Sequence, residues 1–229
     1  MIFDPLYLLL MAPAFIFSLI TSFWVKSAFR KYSKVATASG LTGAQAAARV
    51  MRSANVNDVQ IEATRGFLSD HYDPSKKVLR LSPDVYQGRS IASIGVAAHE
   101  AGHAIQDAAG YAPMKLRSAI VPMASIGSNL SWILLIGGAI LGMAGLIKVG
   151  AVLFSAVVAF QIVTLPVEIN ASRRALAAIS SSGILIAQEQ VGARKVLTAA
   201  AMTYVAAAAS AILTLLYFLI RAGLLGGRD

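Results

Sequence analysis

Residues 90–110 read SIASIGVAAHEAGHAIQDAAG, and the interpretation of this stretch organises the rest of the chain. Ser90 is an N-cap type, Ile91 to Ala109 carries helical periodicity, and Gly110 is a helix stop, so the sequence predicts one helix between them. Within it, His99-Glu100-Ala101-Gly102-His103 forms an HExxH pattern. Two histidines at i and i+4 project from one helical face, a turn apart, as two imidazoles must to converge on one zinc ion. The glutamate beside the first histidine is then placed to take a proton from an attacking water and hand it to a leaving amine. With three histidines and four glutamates in 229 residues, chance would produce this pattern in roughly one chain in a thousand of such composition. The plain alternative is a structural histidine pair inside a helix.

Outside this stretch the composition is that of a protein partly dissolved in lipid. Hydrophobic residues make up 57% of the chain and charged residues 14%, against roughly 45–50% and about 25% in soluble domains. Four runs are long and apolar enough to cross a bilayer: Leu6 to Val25, Ala119 to Ile147, Val149 to Val167 and Val196 to Ile220. The second and third, separated by the single charge Lys148 and by the glycines Gly142, Gly145 and Gly150, are expected to form a tight transmembrane hairpin. The first has only Asp4 before it and its basic residues after it, the reverse of a secretory signal, and is expected to be an uncleaved anchor.

The excess of positive charge, +9, is sided. Thirteen Lys and Arg lie between Lys26 and Arg117 and four between Glu168 and Lys195, whereas Lys148, Arg221 and Arg228 alone fall on the other side. The positive-inside rule makes both basic segments cytoplasmic, and no nucleic-acid partner is needed to explain the charge. The absence of cysteine excludes disulfides and thiolate metal sites.

The segments so defined are 1–25, an anchor; 26–118, a cytoplasmic α+β unit with the HExxH helix; 119–167, the hairpin; 168–195, a cytoplasmic helix; and 196–229, the last span and tail. Within the α+β unit, Thr42 is expected to cap a helix through Ala54. Val59, Ile61 and the Val78–Leu81 region then read as short strands, with His71-Tyr72-Asp73-Pro74-Ser75 as a turn and an antiparallel sheet as the result. Val78 to Ser82 is the expected edge strand, offering a peptide substrate main-chain pairing.

A zinc site needs a third protein ligand. A metzincin would need His at position 109, where this chain has Ala109. Two candidates remain, Glu168 just after Pro166 and His71. If residues 168–175 continue a helix, Glu168 and Ser172 share a face, and Ala171 is small enough to admit the HExxH helix. Ser172 or Asn170 is then a candidate to orient a ligand imidazole through its other nitrogen. Arg173, Arg174 and His71 are candidates for stabilising a tetrahedral oxyanion, the arginines alternatively being positive-inside anchors.

These residues carry a family resemblance. His99 to His103, with Glu168 on a later helix, resembles the gluzincin arrangement of M48-type membrane peptidases. Closer is the resemblance to the YugP-like neutral zinc metallopeptidases, which covers nearly the whole chain: Asp4-Pro5, Lys31-Tyr32-Ser33, Leu41-Thr42-Gly43-Ala44, His71-Tyr72-Asp73-Pro74, His99 through Gln106, and Leu165-Pro166-Val167-Glu168 with Asn170-Ala171-Ser172. It implies a zinc-dependent, membrane-bound peptidase with His99, His103 and Glu168 as ligands and Glu100 as base. M48-type sequences carry Asp where this chain has Ser172.

The expected fold is therefore an α-helical membrane protein of about four transmembrane helices with a small α+β, zincin-like (gluzincin) cytoplasmic domain. The expected function is that of a zinc metalloendopeptidase of the cell membrane. Its expected partners are membrane-associated protein or peptide substrates and the bilayer, with room for an oligomer or a regulatory membrane protein. Two other readings are a site-2-type intramembrane protease, which lacks an Asp in a later span here, and a non-catalytic scaffold or transporter with a structural metal.

Overall fold

The computed structural model describes residues 4–66 and 69–225. The chain is mostly helical: α1 (Pro5–Tyr32), α2 (Gly43–Ser53), α3 (Pro83–Tyr86), α4 (Ile91–Ala108), α5 (Ala112–Leu141), α6 (Ala144–Ser181) and α7 (Ala187–Arg221). The strands β1 (Gln60–Ala63), β2 (His71–Asp73) and β3 (Val78–Leu81) form its one described sheet. Helices α1, α5, α6 and α7 are long and apolar enough to cross a membrane. The described residues fall into two compact units, one drawn from Met1–Thr21, Lys115–Leu165 and Thr203–Asp229, the other from Ser22–Met114 and Pro166–Met202.

The first unit consists of helical segments that leave large apolar side chains uncovered. Leu9 is 71% exposed, Ile140 77% and Val152 68%, a pattern that suits hydrocarbon and is costly in water. Inside it, Trp132, Phe154, Tyr217 and Phe218 meet edge to face, and the Tyr217 hydroxyl donates to Asp4 at 3.0 Å. The turn between α5 and α6 lies at Gly142-Met143, at the first of the three glycines expected to separate the two runs, and Lys148 is inside α6. Gly142 takes a φ of +66°, and the Met143 N–H returns to the Gly138 carbonyl at 2.8 Å, closing α5 with a glycine C-cap. A lone lysine does not end a helix; a left-handed glycine does.

In the second unit, α2 opens on a capping box: the Thr42 hydroxyl accepts from the Gln45 N–H, and the Gln45 side chain accepts from the Thr42 N–H. It ends at Asn55, in the left-handed conformation. Ser90 caps α4 and Gly110, φ +64°, follows its end. The core gathers Val50, Leu79, Leu81, Ile94, Ala98 and Ile179, all fully buried.

The sheet is mixed, with order β1-β3-β2, β1 parallel and β2 antiparallel to β3. This corrects three expectations, the first being a sheet antiparallel throughout. His71–Asp73 is a strand, with Tyr72 buried, and the turn chemistry begins only at the Asp73 carboxylate, which accepts from the Ser75 N–H, the Ser75 hydroxyl and the Lys76 N–H. The Val78–Ser82 region is consequently central rather than an edge, because β2 occupies the side of β3 opposite β1.

Candidate metal centre

Two helices build the centre. Helix α4 meets α6 at Gly102. A Cβ there would lie 2.5 Å from the Ala171 carbonyl oxygen, so only glycine allows this approach. Ala171 is itself fully buried. Helix α6 runs without a break past Pro166 to Ser181, so residues 168–175 are its continuation rather than the start of a separate helix.

This crossing brings one carboxylate oxygen to two imidazoles. Glu168 Oε2 lies 3.2 Å from His99 Nε2 and 3.6 Å from His103 Nε2. The donor atoms of the three residues lie within 4.8 Å of one another. Tetrahedral zinc with bonds near 2.0–2.1 Å separates its donors by roughly 3.3 Å, so this set of two imidazole nitrogens and one carboxylate oxygen fits zinc. Glu168 is 2% exposed and His103 6%. Such burial of a carboxylate demands compensation.

Both rings are held from behind. His99 Nδ1 lies 3.0 Å from the Ser172 hydroxyl, and His103 Nδ1 lies 3.0 Å from Gln106 Oε1. The Gln106 amide nitrogen donates to the Val167 carbonyl at 2.8 Å and to Asn170 Oδ1 at 3.0 Å. Because that NH2 is committed to two acceptors, Oε1 must accept, and the His103 proton sits on Nδ1. Nε2 is then left with its lone pair directed at the shared centre. Asn170 Oδ1 also accepts from Arg174 Nε at 2.8 Å, and the Arg174 guanidinium lies over the Tyr111 ring at 5.9 Å. Burial disfavours the His103 imidazolium, but the hydrogen bond to Glu168 and the charges of Glu100 and Glu168 outweigh it and raise its pKa.

Over residues 7–223 the sequence matches the family described as "Putative neutral zinc metallopeptidase". The chain belongs to that family. Among its relatives is the "Putative membrane protease YugP" of Bacillus subtilis (strain 168), 49% identical over 212 residues that cover 91% of this chain and 93% of the relative. No solved structure matches. Both names point to a membrane zinc metallopeptidase, and the four apolar helices agree with a membrane protein.

For this family member the remaining candidates fall as follows. Glu100, 8% exposed, sits on α4 between the two histidines in sequence. Ser172 contacts the His99 ring directly, whereas Asn170 reaches His103 one step removed, through Gln106. His71 is exposed on β2, its Nδ1 2.8 Å from the Ser69 carbonyl and its Nε2 3.5 Å from Arg80, and it is outside the donor cluster. Arg173 is exposed and has no ion pair among the described residues. Sequence reasoning did not single out Gln106. The signal was available: a lone amide three residues after His103, on the same helical face, in an alanine-rich helix with no other use for it.

Proposed function

We propose that the chain is a zinc-dependent metalloendopeptidase with a zincin-like, gluzincin-type site, anchored in the cell membrane and facing the cytoplasm. The observation that supports it best is the single Glu168 oxygen set between two Nε2 atoms whose rings are each tied at Nδ1. That is what a metal site needs and more than a structural histidine pair would require.

In this reading His99, His103 and Glu168 hold the ion, and a zinc bound there supplies Lewis acidity towards water and the scissile carbonyl. Glu100 accepts the proton of the attacking water and delivers it to the leaving amine as the C–N bond breaks. Ser172 and Gln106 keep the two rings in the tautomer that presents Nε2. Of the sheet's two edges, β1 and β2, the one for an extended substrate is β2, which packs on α4 and donates from the Tyr72 hydroxyl to Asp107 of that helix at 2.8 Å. Substrates are membrane-associated proteins or peptides, paired along that strand. The cytoplasmic orientation is supported by the 17 cations of the two segments flanking the spans on that side.

The test is zinc content and proteolysis of the full chain in proteoliposomes. The wild type is expected to carry about one zinc and to cleave a membrane-associated protein substrate. Glu100→Gln is expected to keep the zinc and lose cleavage, and Glu168→Ala to lose both. A wild type without zinc, or a Glu100→Gln variant that cleaves normally, would overturn the proposal.

A further inference from the structure

A second site lies in the same unit, built from residues that the metal centre does not use. Lys26, Arg30, Lys34 and Arg89 line one cavity of about 840 Å³, in which Asp84 is the only carboxylate. Among the described residues none of the four cations has an ion pair. Lys26 and Arg30 stand a turn apart on α1, and Lys34 follows its end. Arg89 comes from the loop before α4, and the backbone holds it in place. Thr37 N–H and its hydroxyl both donate to the Arg89 carbonyl, at 3.0 and 3.2 Å, Ile91 N–H donates to the Val35 carbonyl at 2.9 Å, and Ala36 pairs with Ser90.

The positive-inside rule accounts for Lys26, Arg30 and Lys34, which follow a span, but not for Arg89, which precedes a buried helix and is brought back by that bridge. The N-terminus of α4, with no acidic residue in its first turn, opens on the same cavity through Ser90 and Ser93 and adds a positive dipole end. Four cations gathered in a concavity against the single carboxylate of Asp84 leave an excess of positive charge and focus a positive potential. They are complementary to an anion, and the volume suits a ligand head of several heavy atoms.

We propose that this cavity binds the phosphate headgroup of an anionic membrane phospholipid. Lys26 is the first charge after the apolar run of α1, so the cavity begins where a spanning helix leaves hydrocarbon, at the depth of lipid phosphates. Ser33 and Gln87 add neutral polar groups for the remaining phosphate and glycerol oxygens. The cations are exposed, so binding weakens with salt.

The experiment is native mass spectrometry of the full chain in detergent, titrated with phosphatidylglycerol, with phosphatidylcholine of the same acyl chains, or with inorganic phosphate. Zinc content is read on the same samples. The wild type is expected to retain phosphatidylglycerol in preference to phosphatidylcholine and to ignore phosphate at equal concentration. With roughly fivefold lost per cation, Arg30→Gln/Arg89→Gln is expected to bind about 25-fold more weakly, whereas Arg65→Gln/Lys76→Gln, which removes two exposed cations elsewhere, leaves binding unchanged. The single Arg89→Gln tests the residue that topology does not explain and should lose about fivefold. All three variants should keep the wild-type zinc content, which separates failure here from failure of the metal-site reading. Equal retention of the two lipids, phosphate binding as tight as lipid, or a cavity variant that binds like the wild type would overturn the proposal.

Discussion

Gly102→Ala adds one methyl group at the closest approach of α4 and α6. The new Cβ would stand 2.5 Å from the Ala171 carbonyl oxygen, and ordinary contact begins near 3.4 Å, so the helices must part by about 0.9 Å. Backbone cannot rotate away as a side chain can. The separation Glu168 Oε2 keeps from the two Nε2 atoms, 3.2 and 3.6 Å, depends on the same crossing. Zinc sites tolerate about 0.2 Å in their bond lengths, so a shift several times larger should cost at least 100-fold in zinc affinity, beyond the roughly 10–100-fold typical of losing a supporting residue. Overpacking costs about 1–3 kcal/mol, partly offset by the roughly 0.5–1 kcal/mol that alanine gains over glycine in a helix. Gly95→Ala is the matched control, since its Cβ would meet Ala193 at 3.5 Å, an ordinary contact on the same helix. The control should melt slightly higher than the wild type and bind zinc normally. Competition titration with a chromophoric chelator, beside thermal melts followed by circular dichroism, measures both effects. If Gly102→Ala binds zinc as tightly as Gly95→Ala, the close crossing does not position the ligands and the reasoning fails.

Gln106→Leu removes the acceptor for His103 Nδ1 and leaves the Val167 carbonyl without this donor, and should weaken zinc binding roughly 10–100-fold with the helix content intact; wild-type affinity would show that His103 needs no such partner. Ser172→Ala should fall at the lower end of that range, because the His99 ring is less buried than that of His103 and water can replace the hydroxyl; the same titration ranks the two. The Ser75 hydroxyl, followed by Arg80, holds the Asp73 carboxyl down to about 2. A folded-state pKa below the unfolded value near 3.9 gives stability that is present above that unfolded value and lost as pH falls towards 2. The melting-temperature gap between wild type and Asp73→Asn should therefore be full at pH 6 and close between about pH 4 and pH 2; a gap independent of pH would assign the effect to something other than the charge.

The parts of this molecule that could be read directly are those decided by local chemistry. Ser90 and Gly110 bracket α4, and Thr42 announces α2, because a cap is a bond between residues a few positions apart. HExxH is likewise local, two donors one turn apart. Boundaries set by something other than sequence-local bonds were displaced. An apolar run reports how much of a helix suits lipid, not how long the helix is, so α6 was cut at Val167 although it continues to Ser181 on Ala171, Ala175 and Ile179, all buried. The sheet order was hidden for another reason. A three-residue strand with one buried tyrosine has too little alternation to be distinguished from the turn beside it, and which side of β3 it joins is settled by tertiary packing.

Gln106 and Gly102 show why the candidate site is more than its donors. The third donor arrives from α6, 65 residues after His103, and no local bond can hold two helices at the spacing an ion requires. Two unlike devices on α4 do so. Gly102 removes the atom that would keep the backbones apart, and Gln106 reaches across to the Val167 carbonyl and to Asn170 of α6. The first sets how close the helices come, and the second fixes their register, since Val167 immediately precedes Glu168. A sliding of one helix along the other would break the Gln106 bonds. The same glutamine also fixes the proton on His103 Nδ1, so the register of the helices and the tautomer of His103 are coupled through one side chain. This coupling explains how a fully buried amide is accommodated in α4: its hydrogen-bonding groups are used on both sides, and its replacement disturbs the His103 ring and the helix pair together.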